Sequence, residues 1–338
     1  MASVKDVSRL AGVSASTVSR VIRGSTPVEE SKRLRVLAAV ERLNYRPNLI
    51  ARGLRNRSGK LIGLMVPEIM NETFAAFISH VEEACVKRGF TMILGNTHED
   101  PAIEEKVVNN LVGMNVDGII ISGVSDASAV MGILKASRVP VVGIDRALED
   151  EQADRVLAGN REAGEMAASY FWHMGHRSLV CISGPESIRL SRERLEGFAA
   201  FFAQRGIEVN HISGEKFDYE SGIECVRRVL ERGIDFTGIW AENDMFAIGA
   251  MRELQRQGRR VPEDISIIGM DDIKTAQMVQ PALTTVRQPY REISETAVAF
   301  LLERIEKPGA AARRVVIAPE LVIRDSVSRL PPAAQDRA

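Results

Sequence analysis

Long apolar runs are missing from this 338-residue sequence. The longest, such as Leu61–Pro67, are strand-sized and fall far short of the ~18 consecutive apolar residues that mark a membrane-spanning helix. Met1–Leu10 mixes polar and charged residues without the apolar centre of a signal peptide, so a cytoplasmic location without a membrane partner is expected. Cysteine is scarce: Cys85, Cys181 and Cys225 lie far apart and cannot all pair internally, which fits a reducing compartment. Net charge is almost absent as well, with 44 Lys and Arg against 45 Asp and Glu. Apolar residues are plentiful, at 45% of the chain, enough for large cores and against wholesale disorder. At roughly 150 residues per domain the length suggests two or three domains.

The near-zero charge is a cancellation. Residues 1–60 hold 13 basic residues against Asp6, Glu29, Glu30 and Glu41, a net of +9, which leaves −10 for the rest. A basic head on an acidic body is the asymmetry expected when one end meets a polyanion. A solvated basic tail is the alternative, so it matters whether the head folds. Val4, Val7, Leu10 and Ala11 recur at helical spacing until Gly12-Val13-Ser14 breaks the run. Ser14 suits the N-cap of a second helix, Ala15–Ile22, with an apolar stripe of Val18, Val21 and Ile22. After Gly24-Ser25-Thr26-Pro27 a third run carries Leu34, Leu37, Val40 and Leu43, and Tyr45-Arg46-Pro47 ends it. Two short helices joined by a Gly-containing turn, with a third behind, make a helix-turn-helix pattern. A three-helix bundle for protein contacts would look similar, and the +9 charge favours DNA.

Val4-Lys5-Asp6-Val7, Ala11-Gly12-Val13-Ser14, Thr17-Val18-Ser19-Arg20-Val21-Ile22 and Leu43-Asn44-Tyr45-Arg46-Pro47-Asn48 resemble the head of the lactose-repressor/galactose-repressor (LacI/GalR) family of transcriptional regulators. So does Ala51-Arg52-Gly53-Leu54, and the similarity runs to about Asp325. The resemblance implies a small all-α helix-turn-helix head with a hinge helix. Behind it comes an α/β two-lobed, periplasmic-binding-protein-like body with parallel sheets. The second helix would enter the major groove of operator DNA, with Ala15, Ser16 and Arg20 at positions that read bases in the family. Arg20 could bridge guanine O6 and N7, whereas Thr17 and Ser19 suit phosphates, which position without specifying. Plain helix surface is nearly as good a reading for those two. Asn48–Asn56 is too short for a stable lone helix and by itself reads as a linker. The resemblance makes it a hinge helix that orders on DNA, adding Leu54, a minor-groove wedge, and Arg55 to the DNA-binding set.

From Leu61 the pattern alternates apolar strand and helix. Strands are predicted at Leu61–Val66, Thr91–Gly95, Asp117–Ser122 and Pro140–Ile144, with helices near Thr73–Arg88, Ile103–Val112 and Ala127–Ala136. A second series follows at Ser178–Ser183, Gly206–His211, Gly238–Ala241 and Ile265–Gly269. Its helices run near Arg161–Met174, Ser191–Arg205, Tyr219–Glu231 and Asp244–Gln257. Alternation with near-continuously apolar strands means parallel sheets covered on both faces, and two series mean two lobes. The expected domains are the DNA-binding head at 1–47, the hinge at 48–60 and an effector-binding, dimerising body at 61–338. Within the body the N-lobe takes about 61–158 and 289–319, the C-lobe about 159–288 and 320–328, and a tail 329–338.

Ligands in such folds bind beyond the carboxyl ends of strands, here the cleft between lobes. Phe74 opens the helix after the first strand, and Asp145 and Arg146 follow the fourth. Arg192 and Arg194 lie ahead of the next helix, Phe217 sits in a loop, and Asn243-Asp244 and Asp271-Asp272 follow late strands. Asp244 reads as an N-cap and is set aside. By resemblance Phe74, Arg194, Asn243 and Asp271 fall on effector-contact positions, with Asp145, Arg146 and Phe217 behind them. The chemistry suits a small polyhydroxylated ligand: a carboxylate accepts from adjacent hydroxyls and an aromatic face covers a ring. Arg146 and Arg194 could instead clamp the anionic group of a sugar acid or sugar phosphate. Family members that bind purines place further aromatics around the cleft, and Thr73 and Arg146 do not supply them.

No enzyme, cofactor or metal site is expected. The chain has no G-x-G-x-x-G after its first strand, no P-loop and no G-x-S-x-G elbow. His173 and His176 stand three apart, but no Cys or carboxylate cluster joins them, and the segment reads as a helix end. An exported solute-binding protein shares the two-lobed body but would need a leader and no basic head. The tail, Arg329–Ala338, contains Pro331-Pro332 and lacks the leucine heptads that tetramerise one branch of the family, so a homodimer is expected. Effector binding should close the cleft, move the hinge helices and so change operator affinity.

Overall fold

The computed structural model describes residues 2–23, 27–45, 59–123, 127–146 and 153–331. The turn expected at Gly24-Ser25-Thr26, the hinge residues up to 58, Leu54 and Arg55 included, and the tail beyond residue 331 lie outside the described residues. The chain forms two compact units, Met1–Lys60 and Leu61–Ala338.

In the first unit, α1 (Val4–Ala11) opens on a capping box between Ser3 and Asp6 and closes on Gly12 at φ +63°, the left-handed step that ends many helices. Ser14 caps α2 (Ala15–Arg23), its hydroxyl accepting from the Thr17 N–H at 3.2 Å. With α3 (Glu30–Arg42) these helices enclose Val7, Ala11, Val18, Val36, Ala39 and Tyr45. The expected stripes need correcting: Leu34 is 56% exposed and Leu37 42%, and Leu10 also faces out, while Val36 and Ala39 are buried. Val36, Ala39, Val40 and Leu43 have the same helical spacing, and the small Ala39 lets α1 approach. Hydrophobic pattern alone cannot choose between two such stripes.

The second unit holds two six-stranded sheets. The first runs β11-β5-β4-β3-β1-β2, from β1 (Leu61–Val66), β2 (Thr91–Asn96), β3 (Gly118–Ser122), β4 (Val141–Ile144), β5 (Asp154–Ala158) and β11 (Arg314–Ile317). The second runs β12-β10-β9-β8-β6-β7, from β6 (Leu179–Ser183), β7 (Asn210–Ser213), β8 (Gly238–Ala241), β9 (Ser266–Asp271), β10 (Thr284–Arg287) and β12 (Glu320–Val322). Every pairing is parallel except β12 on β10. The first sheet is covered by α4 (Glu72–Lys87) and α11 (Tyr290–Glu306) on one face and by α5 (Pro101–Gly113) and α6 (Ala127–Ser137) on the other. The second lies between α7 (Asn160–His173) with α8 (Arg189–Ala203) and α9 (Tyr219–Glu231) with α10 (Asp244–Arg256). Burial on both faces explains the unbroken apolar strands β3, β6 and β9.

The chain passes between the sheets three times: from β5 to α7, from β10 to α11 and from β11 to β12. Strands β5, β10, β11 and β12 and helix α11 were not among the expected elements, and β7 lies later than the predicted Gly206–His211. Helices α7 and α8 touch backbone to backbone at glycine. A methyl group on Gly197 would lie 2.0 Å from the Arg161 carbonyl oxygen, and one on Gly164 2.2 Å from that of Arg194. Among the described residues no helix is long and apolar enough to cross a membrane.

Candidate nucleic-acid interface and effector cleft

On α2, Val18 is fully buried, so the residues around it turn outward. Ala15, Ser16 and Arg20 are exposed, and Thr17 and Ser19 are half-buried. The Ser16 and Thr17 hydroxyls already bond to the Ser14 hydroxyl, at 2.7 and 2.9 Å. Arg20 makes no ion pair among the described residues, which leaves its guanidinium for an outside partner.

Seven of the eight residues expected in the cleft line one cavity between the lobes: Phe74, Asp145, Arg146, Arg194, Phe217, Asn243 and Asp271. Its free volume is about 20 Å³, room for one water molecule. Arg192 does not belong to it. It faces a separate, open cavity of about 490 Å³ with Arg161, Arg189 and Arg314. The reason is helical phase: Leu190 and Arg194, four apart on α8, share the cleft face, and residue 192 points about 200° away from either. Sequence reasoning missed Asn71, Thr73, Leu190 and Gln288. Asn71 and Thr73 flank Phe74 at the same strand end, a placement that could have found them. Gln288 follows β10, a strand the pattern did not disclose.

Arg194 is 3% exposed. Its Nε donates to Asn160 Oδ1 at 3.0 Å and one terminal nitrogen donates to the Glu242 carbonyl at 2.7 Å. The glycine contact of α7 and α8 brings Asn160 and Arg194 together. Asn243 is the N-cap of α10, its Oδ1 accepting from the Phe246 N–H at 2.6 Å. Asp244, expected as that cap, is instead fully buried behind the cleft, accepting from Thr285 Oγ1 at 2.6 Å and the Ile273 N–H at 2.9 Å. Burial pushes its carboxyl well up, helped by neighbouring Asp271. Burial likewise raises Glu242, at the end of β8, to about 8.

The Asp271 carboxylate accepts from Thr73 Oγ1 at 2.9 Å and Gln288 Nε2 at 2.6 Å. The first bond reaches it from the opposite lobe. Burial raises its pKa to about 6, with Arg194 opposing the shift. A second interlobe bond joins Thr275 to Glu72. Asp145 is buried at φ +51°, and its Oδ1 has no partner among the described residues. The Arg146 guanidinium donates to Glu99 at 2.5 Å and lies 4.7 Å from the Phe217 ring centre and 5.7 Å from that of Phe74. Two aromatic faces, two cations and two carboxylates thus converge with three amides, a set that recognises hydroxyls and rings.

No cluster of His, Cys, Asp or Glu among the described residues could hold a metal. His176 is buried, with Nδ1 2.9 Å from Thr237 Oγ1 and Nε2 donating to the Ser328 carbonyl at 3.0 Å. His173 bonds the Ser169 carbonyl one turn back. All three cysteines are buried and free. The closest nucleophile–base geometry among the described residues is Ser183 with His211 at 2.6 Å, but Ser183 is 1% exposed and lines no part of the cleft.

Residues 3–48 match the family described as "Bacterial regulatory proteins, lacI family", and residues 168–327 match "Periplasmic binding protein-like domain". "HTH-type transcriptional repressor PurR" of Photobacterium profundum is 36% identical over 334 residues, covering 98% of this chain and 100% of that protein. Among solved structures, the lac repressor dimer bound to operator and the anti-inducer ONPF superposes with a TM-score of 0.86 at 26% identity, covering 97% of this chain and 99% of that one. A complex of the transcriptional regulator CelR with cellobiose gives a TM-score of 0.74 at 30% identity, with 96% and 100% covered.

Proposed function

The chain belongs to the lacI family of bacterial regulatory proteins, and from that premise we propose how its parts divide the work. It is a DNA-binding transcriptional repressor, not an enzyme, acting as a dimer on operator DNA under a small-molecule effector. Residues 1–47 bind the DNA in the cytoplasm, 48–60 form the hinge, and 61–338 bind effector and dimerise. On α2, Arg20 reads a base, Ala15 and Ser16 approach base edges, and Thr17 and Ser19 lie toward phosphates. Leu54 and Arg55 keep the roles that the family resemblance implies.

The effector is carbohydrate-like: a sugar, sugar acid or sugar phosphate. The observation that carries this is the buried meeting of Asp271, Asn243 and Arg194 beside the Phe74 and Phe217 rings. Asp271 accepts from paired hydroxyls, Asn243 and Arg194 donate, and the rings cover C–H faces. The relative solved with cellobiose supports the same ligand class. A ligand that holds the two lobes together adds to the Thr73–Asp271 and Thr275–Glu72 bonds. It shifts operator affinity by its preference for one lobe arrangement, typically about 1–3 kcal/mol.

Calorimetry on the full chain with D-ribose, cellobiose, D-gluconate and D-glucose 6-phosphate tests the cleft. One of them binds, and Asp271→Asn weakens it about tenfold or more, since a charge-assisted bond is lost. Binding by none of the panel would sink the carbohydrate reading. For the head, Arg20→Ala relaxes operator preference at one base pair per half-site, at a cost of about 1–3 kcal/mol. Binding-site selection that returns an unchanged consensus would remove Arg20 from base reading.

A further inference from the structure

Strand β9 ends on Asp271 at φ +116°, and Asp272 follows it at φ +56°, two consecutive residues of unusual backbone. L-residues rarely adopt such angles, and they persist where surrounding contacts over-determine them. Asp272 supplies those contacts. Its backbone N–H donates to Thr285 Oγ1 at 3.3 Å. Its Oδ2 accepts from Arg287 Nε at 2.7 Å, and its Oδ1 accepts from Arg324. The side chain is 7% exposed, and with both oxygens occupied by guanidiniums it is not built to touch a ligand. The two arginines are themselves tied down. Arg324 donates to the Leu283 carbonyl at 2.8 Å, and Arg287 to Glu320 at 3.1 Å, the residue opposite it on β12.

Arg287 holds Asp272, and the next residue, Gln288, holds Asp271. Those two residues begin the passage from β10 to α11, while Glu320 ends the passage from β11 to β12. One of the three connections between the lobes therefore ends on this pair of aspartates, and a second reaches it through the Arg287–Glu320 bond.

We propose that Asp272 is a positioning residue that locks the backbone step aiming the Asp271 carboxylate into the cleft and ties it to the connections between lobes. The role rests on the cleft being the effector site. A lobe movement that shifts Arg287 or Glu320 then re-aims Asp271, and a ligand held by Asp271 acts back on both connections.

The Asp271 carboxyl supplies a readout that needs no ligand. It faces Arg194 from α8, Asp145 from the end of β4, Asp244 from α10 and Tyr290 from α11. Its pKa, raised to about 6 by burial, makes its ionised form unfavourable in the fold. That unfavourable contribution is absent below the unfolded carboxyl's range and complete above about pH 6. Asp271→Asn therefore raises Tm by a few degrees at pH 7, and the gain fades by about pH 4. Gln288 can turn its unpartnered Oε1 toward the new amide.

The test is a double-variant cycle of thermal unfolding at pH 4–7.5, with Asp271→Asn made in the wild type and in Asp272→Asn. If Asp272 positions Asp271, the pH-dependent gain falls to half or less in the second background. An undiminished gain would overturn the proposal. Should Asp272→Asn not fold, Arg324→Gln is the background instead, with the same two outcomes. Any binder from the carbohydrate panel should lose about tenfold in affinity with Asp272→Asn. An Asp272→Asn affinity within twofold of wild type would also overturn it. Failure of the whole panel overturns the cleft reading and leaves the unfolding cycle to judge Asp272.

Discussion

Asn243 serves two masters: its side-chain oxygen caps α10 through the Phe246 N–H, while its residue lines the cleft. Asn243→Ser separates the two roles, because serine caps a helix about as well but brings no amide to a ligand. Tm should stay within about 2 °C of wild type while calorimetric effector affinity drops; a matching loss in both would mean the residue is only a cap. His176 titrates with the opposite sign to Asp271. Burial lowers it to about 4, so its contribution is present above the free imidazole's pKa and lost as pH falls from about 6.5 to 4. In His176→Gln the acid-side fall of stability should be shallower, by up to about 1.4 kcal/mol per pH unit, as read from denaturant titrations. Most of the cleft was legible in sequence because its polar residues follow apolar strands. Arg192 misled because residues two positions apart on a helix do not share a face, and Gln288 escaped because its strand did.

At the scale of elements, the α7–α8 contact sets the distance between Asn160 and Arg194. Gly197→Ala would push a methyl group against the Arg161 carbonyl oxygen, a backbone atom that cannot swing aside. We expect a loss of about 1–3 kcal/mol, measured by chemical unfolding, together with weaker effector binding because Arg194 is displaced. Unchanged stability would show that the helices can slide apart. The long, doubly covered strands β1, β3 and β9 announced themselves by unbroken apolar runs. By contrast β11 is a four-residue edge strand with alternating exposure, Arg314 included, and β12 has three residues. Too little of either is buried to leave a pattern, and their places come from partners distant in sequence. In α3 the failure was of another kind, two competing stripes with one core to fill.

Across the whole molecule, the +9 of residues 1–60 and the −10 of the remainder assign the two ligands to different electrostatics. Operator affinity should fall steeply with salt, since each neutralised phosphate releases counterions. Affinity for a neutral sugar in the buried cleft should stay nearly flat over the same range. Filter binding and calorimetry at matched ionic strengths would show both, and a flat operator curve would contradict the charge argument. Each sheet, meanwhile, takes an edge strand from one late stretch, Arg314–Val322. Translation runs the other way, delivering the three helices of the head first. Neither lobe can be completed until that stretch leaves the ribosome, on the order of tens of seconds later at about 5–20 residues per second. Throughout that interval the growing chain carries a folded head with neither the sensor nor the dimerising body, so a prematurely ended product lacks both the switch and the pairing that operator binding needs.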